Sequence, residues 1–103
     1  MLLIREVMHC KPGKVKAMVQ KFIAMNKLAP KVGMPTMRIM TDFSAERYWT
    51  VIAEMEVDSL DKFDKMMSSP TGNAEADKEM GEIMKDYHDL VVRGRREIYR
   101  IEG

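Results

Sequence analysis

A chain of 103 residues, 46% apolar and 32% charged, is long enough for one hydrophobic core, too short for two, and too apolar to remain disordered. Its 17 basic and 16 acidic side chains leave a formal charge of +1, which excludes the strong field that gathers nucleic acid or anionic lipid. A lone cysteine, Cys10, excludes an intrachain disulfide and suits a reducing, cytoplasmic setting; the apolar opening Met1-Leu2-Leu3-Ile4 is cut short by Arg5 and Glu6 before it reaches signal-peptide length, and no run is apolar enough to span a membrane.

In chain order, Leu2 to Cys10 is rich in strand formers and reads as a first strand, closed by Lys11-Pro12-Gly13. From Lys14 the period changes: Val15, Met18, Val19, Phe22, Met25 and Ala29 recur at helical steps, and Pro30 is expected to end that helix near Leu28 or Ala29. Thr36 to Phe43 reads as a second strand, with Met37, Ile39 and Phe43 on one face. Ser44-Ala45-Glu46-Arg47 has hairpin-loop length, and Tyr48 to Val57 alternates as a third strand. There Trp49, Val51, Ala53, Met55 and Val57 share one side, and Tyr48, Thr50, Ile52, Glu54 and Glu56 the other.

Asp58 or Ser59 is placed to cap a helix whose apolar side is Leu60, Phe63 and Met67. After Ser68-Ser69-Pro70-Thr71-Gly72-Asn73 a longer helix begins near Ala74, with a stripe of Met80, Ile83, Met84, Tyr87 and Val91 and with Gly94 as its stop. The basic run Arg93, Arg95, Arg96 then reads as a solvated connection, and Glu97 to Glu102 as a fourth strand.

The order β-α-β-β-α-β defines an α+β, ferredoxin-like domain over residues 1–103: an antiparallel sheet with its helices on one face. A monomer built that way needs a polar outer face. Here Leu3, Val7, Tyr48 and Ile52 fall opposite the apolar side of their strands, so a second cover is expected, most simply a second copy of the same sheet.

The opening Ile4-Arg5-Glu6-Val7-Met8-His9-Cys10-Lys11-Pro12-Gly13-Lys14 and the closing Gly94-Arg95-Arg96-Glu97-Ile98-Tyr99-Arg100 resemble the dimeric α/β-barrel superfamily. That group includes antibiotic-biosynthesis-monooxygenase-like and NIPSNAP-like proteins, muconolactone isomerases and stress-responsive barrels. The resemblance implies a homodimer whose two sheets close a barrel, often with a small-molecule cavity. It does not carry a reaction. Cofactor-independent monooxygenases of the superfamily commonly place an Asn–Trp or Trp–His pair beside the substrate. This chain has no Asn in its first strand, and its only tryptophan, Trp49, falls on a strand, so neither pair transfers, and Asn26 and Asn73 do not take the role.

Chemistry-bearing residues are few. His9 ends the first strand and His88 falls late in the last helix; neither stands in a metal-binding spacing, and no metal or cofactor is expected. Cys10 points away from its neighbour His9 on a pleated strand, which separates a would-be nucleophile from its base. Glu54 and Glu56 share a strand face, where paired carboxylates serve acid–base chemistry or simply meet solvent, and Arg38 is a possible partner from the adjacent strand. The 12 methionines build either an irregular core or an adaptable pocket.

The expected function is a homodimeric barrel that binds a small apolar or aromatic molecule, between the sheet and a helix or at the barrel mouth, with His9, Arg38, Tyr48 and Glu54 as the polar candidates. A cofactor-independent oxygenase or isomerase, and a structural dimer without ligand, are the alternatives. No nucleic-acid or membrane partner is expected.

Overall fold

The computed structural model describes residues 1–103. The elements run β1 (Leu2–Cys10), α1 (Val15–Val32), β2 (Arg38–Thr41), β3 (Thr50–Val57), α2 (Leu60–Ser68), α3 (Ala74–Met84), a 3-10 turn at Tyr87–Asp89, and β4 (Val91–Arg100). One four-stranded sheet has the order β2-β3-β1-β4, with every neighbouring pair antiparallel. This is the ferredoxin-like α+β arrangement: β1 and β3, at the centre, each separate the ends of a crossover.

Local chemistry fixes the helix ends. The Ser59 hydroxyl accepts from the Lys62 amide at 3.2 Å, and the Asn73 side chain accepts from Ala76 at 3.0 Å. At the far end of α3, Lys21 of α1 donates to the carbonyls of Ile83 and Lys85 at 2.7 and 2.8 Å. One lysine therefore satisfies two carbonyls that the helix end leaves orphaned and ties α1 to α3.

Several expectations are corrected. Helix α1 runs through Pro30 to Val32, because the ring removes a single backbone bond one turn from the end. Gly33, at φ 69°, ends it instead, and the Gly33 and Met34 amides both close on the Ala29 carbonyl. Strand β2 is only Arg38–Thr41, so the link to β3 is longer than a tight hairpin and Phe43 stands fully exposed.

Trp49 is not in the core. It adopts φ 61°, a left-handed conformation costly for a bulky residue, and this breaks the alternation before β3 begins at Thr50. Its side chain is 44% exposed.

The last helix ends at Met84, and Asp86 at φ 65° redirects the chain, so Tyr87 and His88 lie in the 3-10 turn and Val91 starts β4. Gly94 is a mid-strand residue opposite Met8: a Cβ there would meet the Met8 sulfur at 2.9 Å. The basic run Arg93 to Arg96 is accordingly part of β4 and not a connection.

The helices cover the sheet face bearing Ile4, Met8, Val51, Ala53, Met55 and Val57. Two buried clusters form there, one around Met18, Phe22, Val51 and Ala53, the other around Ile4, Met55, Val57 and Phe63. Met37 touches both.

Candidate functional site

Between those clusters the core is not filled. A cavity of about 330 Å³ lies between the sheet and the helices. Eight of the 12 methionines line it: Met8, Met37 and Met55 at the sheet, Met25 and Met34 at α1 and the turn after it, and Met67, Met80 and Met84 at α2 and α3. Phe22 and Tyr87 add rings. Unbranched thioether side chains fill such a space in many rotamer combinations and make favourable sulfur–aromatic contacts. The methionine surplus in the sequence is therefore mainly a cavity wall.

Three charged or amide side chains reach this lining. Asn26 is fixed at both ends, since its amide donates to the Met37 carbonyl and accepts from the Met37 amide, both at 2.8 Å. Glu6 of β1 and Arg96 of β4 stand directly opposite each other, and the Arg96 Nε donates to Glu6 Oε1. Arg96 also lies over the Phe63 ring, 5.0 Å from its centroid. Sequence pattern alone does not pick out this pair: Glu6 follows an apolar opening, and Arg96 stands in a basic run that reads as a connection. The signal that would have found it is the placement of the basic run in a strand beside β1.

The opposite face of the sheet has no helix over it and carries a ribbon of charge. Arg38 of β2 donates to Glu54 of β3 at 2.7 Å, Glu54 lies 3.4 Å from Arg5 of β1, and Arg5 lies 3.6 Å from Glu97 of β4. Glu97 accepts from Arg95 at 2.8 Å and from the Tyr99 hydroxyl at 3.2 Å. Those bonds, Arg95's first among them, hold the Glu97 carboxyl below its usual range.

Arg95 in turn donates to His9 Nε2 at 2.9 Å. A guanidinium can only donate, so Nε2 accepts, and the neutral ring carries its proton on Nδ1, 3.3 Å from the Thr50 hydroxyl oxygen. Thr50 passes its own proton to the Arg47 carbonyl at 2.9 Å. Burial, then the charges of Arg95, Arg47 and Arg93, push the His9 pKa down. Cys10, on the other side of the strand, has its thiol pushed up by burial.

The expected site residues thus divide. His9, Arg38 and Glu54 come together on the bare face, in one ribbon of hydrogen bonds and ion pairs, and none lines the methionine cavity. Tyr48 is 85% exposed in the β2–β3 link, beside Trp49, Val15, Thr41 and Asp42 around a separate depression. Glu56 is exposed, and His88 stacks on Tyr87 with ring centroids 4.0 Å apart. No group of three or more His, Cys, Asp or Glu side chains converges as a metal site. No helix is long and apolar enough to cross a membrane.

No protein-family model matches the chain, and no curated protein is similar to it in sequence. Solved structures share its fold. An uncharacterised NIPSNAP-like domain protein from Burkholderia xenovorans superposes with a TM-score of 0.69 at 14% identity, over 97% of this chain and 84% of that one. A candidate antibiotic biosynthesis monooxygenase from Chloroflexus aurantiacus gives 0.66 at 12% identity, over 99% and 93% of the two chains. The chain has their fold. A dimeric protein of unknown function and ferredoxin-like fold from Bacteroides fragilis gives 0.53 at 13% identity, over 97% and 96%. Identity at this level carries the architecture and leaves activity to be argued from the site.

Proposed function

We propose that the protein binds a small apolar or aromatic molecule in the methionine-lined cavity and works as a homodimer joined through the bare face of its sheet. The cavity itself carries the first half: a space of about 330 Å³ with almost wholly apolar walls and one polar pair is the usual make-up of a small-molecule site.

For the second half, only 16 of 103 residues are buried in the lone chain, a small core for this length. The uncovered face presents the half-buried Leu3, Met40 and Ile52 along with its ion pairs, and one structural neighbour is itself a dimer. A second sheet laid on that face would cover both.

Isothermal calorimetry with naphthalene-sized aromatics tests the ligand; no saturable heat for any of them would sink the reading. Sedimentation at micromolar concentration tests the dimer, which should run at about twice 11.9 kDa. A folded monomer there excludes it. Ile52→Lys should separate or unfold the pair, because it buries an unmatched charge in the contact.

His9, Arg38, Glu54 and Tyr48 belong in this reading to the dimer contact and its rim. His9→Ala and Arg38→Ala should leave binding in the cavity intact; a loss would move the ligand to the other face of the sheet.

One observation favours a catalytic second reading, a cofactor-independent oxygenase or isomerase. Glu6 is the sole carboxylate on the cavity lining, and its Oε2 accepts no hydrogen bond, so a proton acceptor stands beside any bound molecule. Oxygen uptake or isomerisation of a bound phenol or enone, abolished in Glu6→Gln, is the result that reading requires.

A further inference from the structure

We propose that the cavity selects a neutral ligand: an aromatic body whose head group sets a hydrogen-bond donor beside an acceptor, as in a primary carboxamide or an ortho-hydroxy carbonyl, with Glu6 and Arg96 reading that head. The proposal rests on the cavity being the binding site.

The argument starts from what the pair leaves free. Arg96 uses Nε on Glu6 Oε1 and places its guanidinium over Phe63, while its two terminal nitrogens make no hydrogen bond. Glu6 keeps Oε2 unpartnered. The two residues stand opposite each other on β1 and β4 and both belong to the cavity lining, so one neutral pair carries a free acceptor and free donors there. Asn26 is held in place by the Met37 backbone at both ends of its amide and keeps one further N–H, a donor without charge preference. The Tyr87 hydroxyl donates or accepts as required and selects no charge.

Net charge then decides the ligand class. The pair is neutral as a unit. A carboxylate head would gain Arg96 but meet Glu6, and an ammonium head would gain Glu6 but meet Arg96. A head with one donor and one acceptor satisfies both free positions without adding charge, through bonds strengthened by the ionised partners. The walls favour an aromatic body, since methionine sulfur packs well at ring edges.

The test is a titration of the full-length protein, carrying [methyl-13C]methionine, with 2-naphthamide, 2-naphthoate, 2-(aminomethyl)naphthalene and naphthalene. Methyl shifts of Met25, Met80 and Met84, against the unmoved Met1 and Met40 outside the cavity, locate each ligand and give its Kd. The expected result is 2-naphthamide tighter than each of the others by about tenfold or more, the worth of a charge-assisted hydrogen bond.

In Glu6→Gln the order should turn over, with 2-naphthoate the tightest; in Arg96→Gln the aminomethyl compound should gain. Equal binding of naphthalene and 2-naphthamide at the cavity methyls, or a preference of the native protein for 2-naphthoate, overturns the proposal and leaves the apolar site standing. No cavity shift with any of the four overturns both. The comparison within the native protein holds even if a variant fails to fold.

Discussion

One face of the sheet is covered by helices and the other by charges, and the two are built from opposite materials. On the helix side, Ile4, Met18 and Val51 are completely buried, yet a methionine-walled space separates the two clusters that contain them. On the bare side, Val7 is only 2% exposed although no helix lies over it, and the ribbon Arg38–Glu54–Arg5–Glu97–Arg95–His9 crosses all four strands. The helix side is soft and apolar, suited to adapting around a guest. The bare side is polar and paired across its strands, suited to fixing a register against another surface. Directional bonds specify a partner; flexible thioethers accommodate one.

The comparison breaks most visibly in the packed core. Met18→Ala, at a position with no exposure, should cost about 2–5 kcal/mol, read by urea unfolding at fixed protein concentration. Met80→Leu, on the cavity wall, should cost less than about 1.5 kcal/mol and change ligand affinity instead. Equal costs would mean that the cavity wall is packed as tightly as the core.

Next comes the ribbon. Glu54→Gln removes the carboxylate shared by Arg5 and Arg38 and should destabilise by about 1–3 kcal/mol, moderated by the exposure of Arg38. The exposed Asp61–Lys65 pair of α2 is its control: Lys65→Ala should move stability by no more than about 0.5 kcal/mol.

The pH dependence sharpens the same contrast. Folding depresses the His9 pKa, so the unfolded chain binds the extra proton first as pH falls. The contribution from neutral His9 is complete above its ordinary value of 6.5 and is lost progressively below it. Stability should therefore decline as pH falls below 6.5, and His9→Gln should flatten that decline. Ligand affinity in the cavity, on the far side of the sheet, should stay level across the same His9→Gln comparison.

The smallest stability effect is expected at Gly94. Alanine there forces the Met8 sulfur to move, but a thioether can yield and alanine suits a strand better than glycine. Gly94→Ala should leave the unfolding midpoint almost unchanged while altering cavity binding, because Met8 lines the cavity. A large loss of stability would show Met8 to be locked.

Much of the fold was legible in the chain. Period-two and helical spacing located β1, β3 and the start of every helix, and strands with apolar residues on both sides were visible too, because side-chain periodicity is imposed by local geometry alone. Breaks in that periodicity were misplaced where a backbone conformation, invisible in composition, decided the outcome. Trp49 continues the alternation of β3 in sequence and leaves it in space through a positive φ, and Gly94 looks like a helix stop yet serves the close approach of Met8.

The residue types at the site were visible too, but not their company. His9, Arg38 and Glu54 could be named as polar candidates from their strands, since alternation assigns a face. That they form one ribbon depends on the strand order β2-β3-β1-β4, which sets Arg38 opposite Glu54 and Arg5 between Glu54 and Glu97. Likewise the sequence by itself determined a surplus of methionine, and only the packing of three helices over the sheet decided that eight of those side chains surround a space with Glu6 and Arg96 at its edge. Composition and period are properties of neighbours in the chain; a cavity is a property of residues far apart in sequence, and it exists only once they have been brought together.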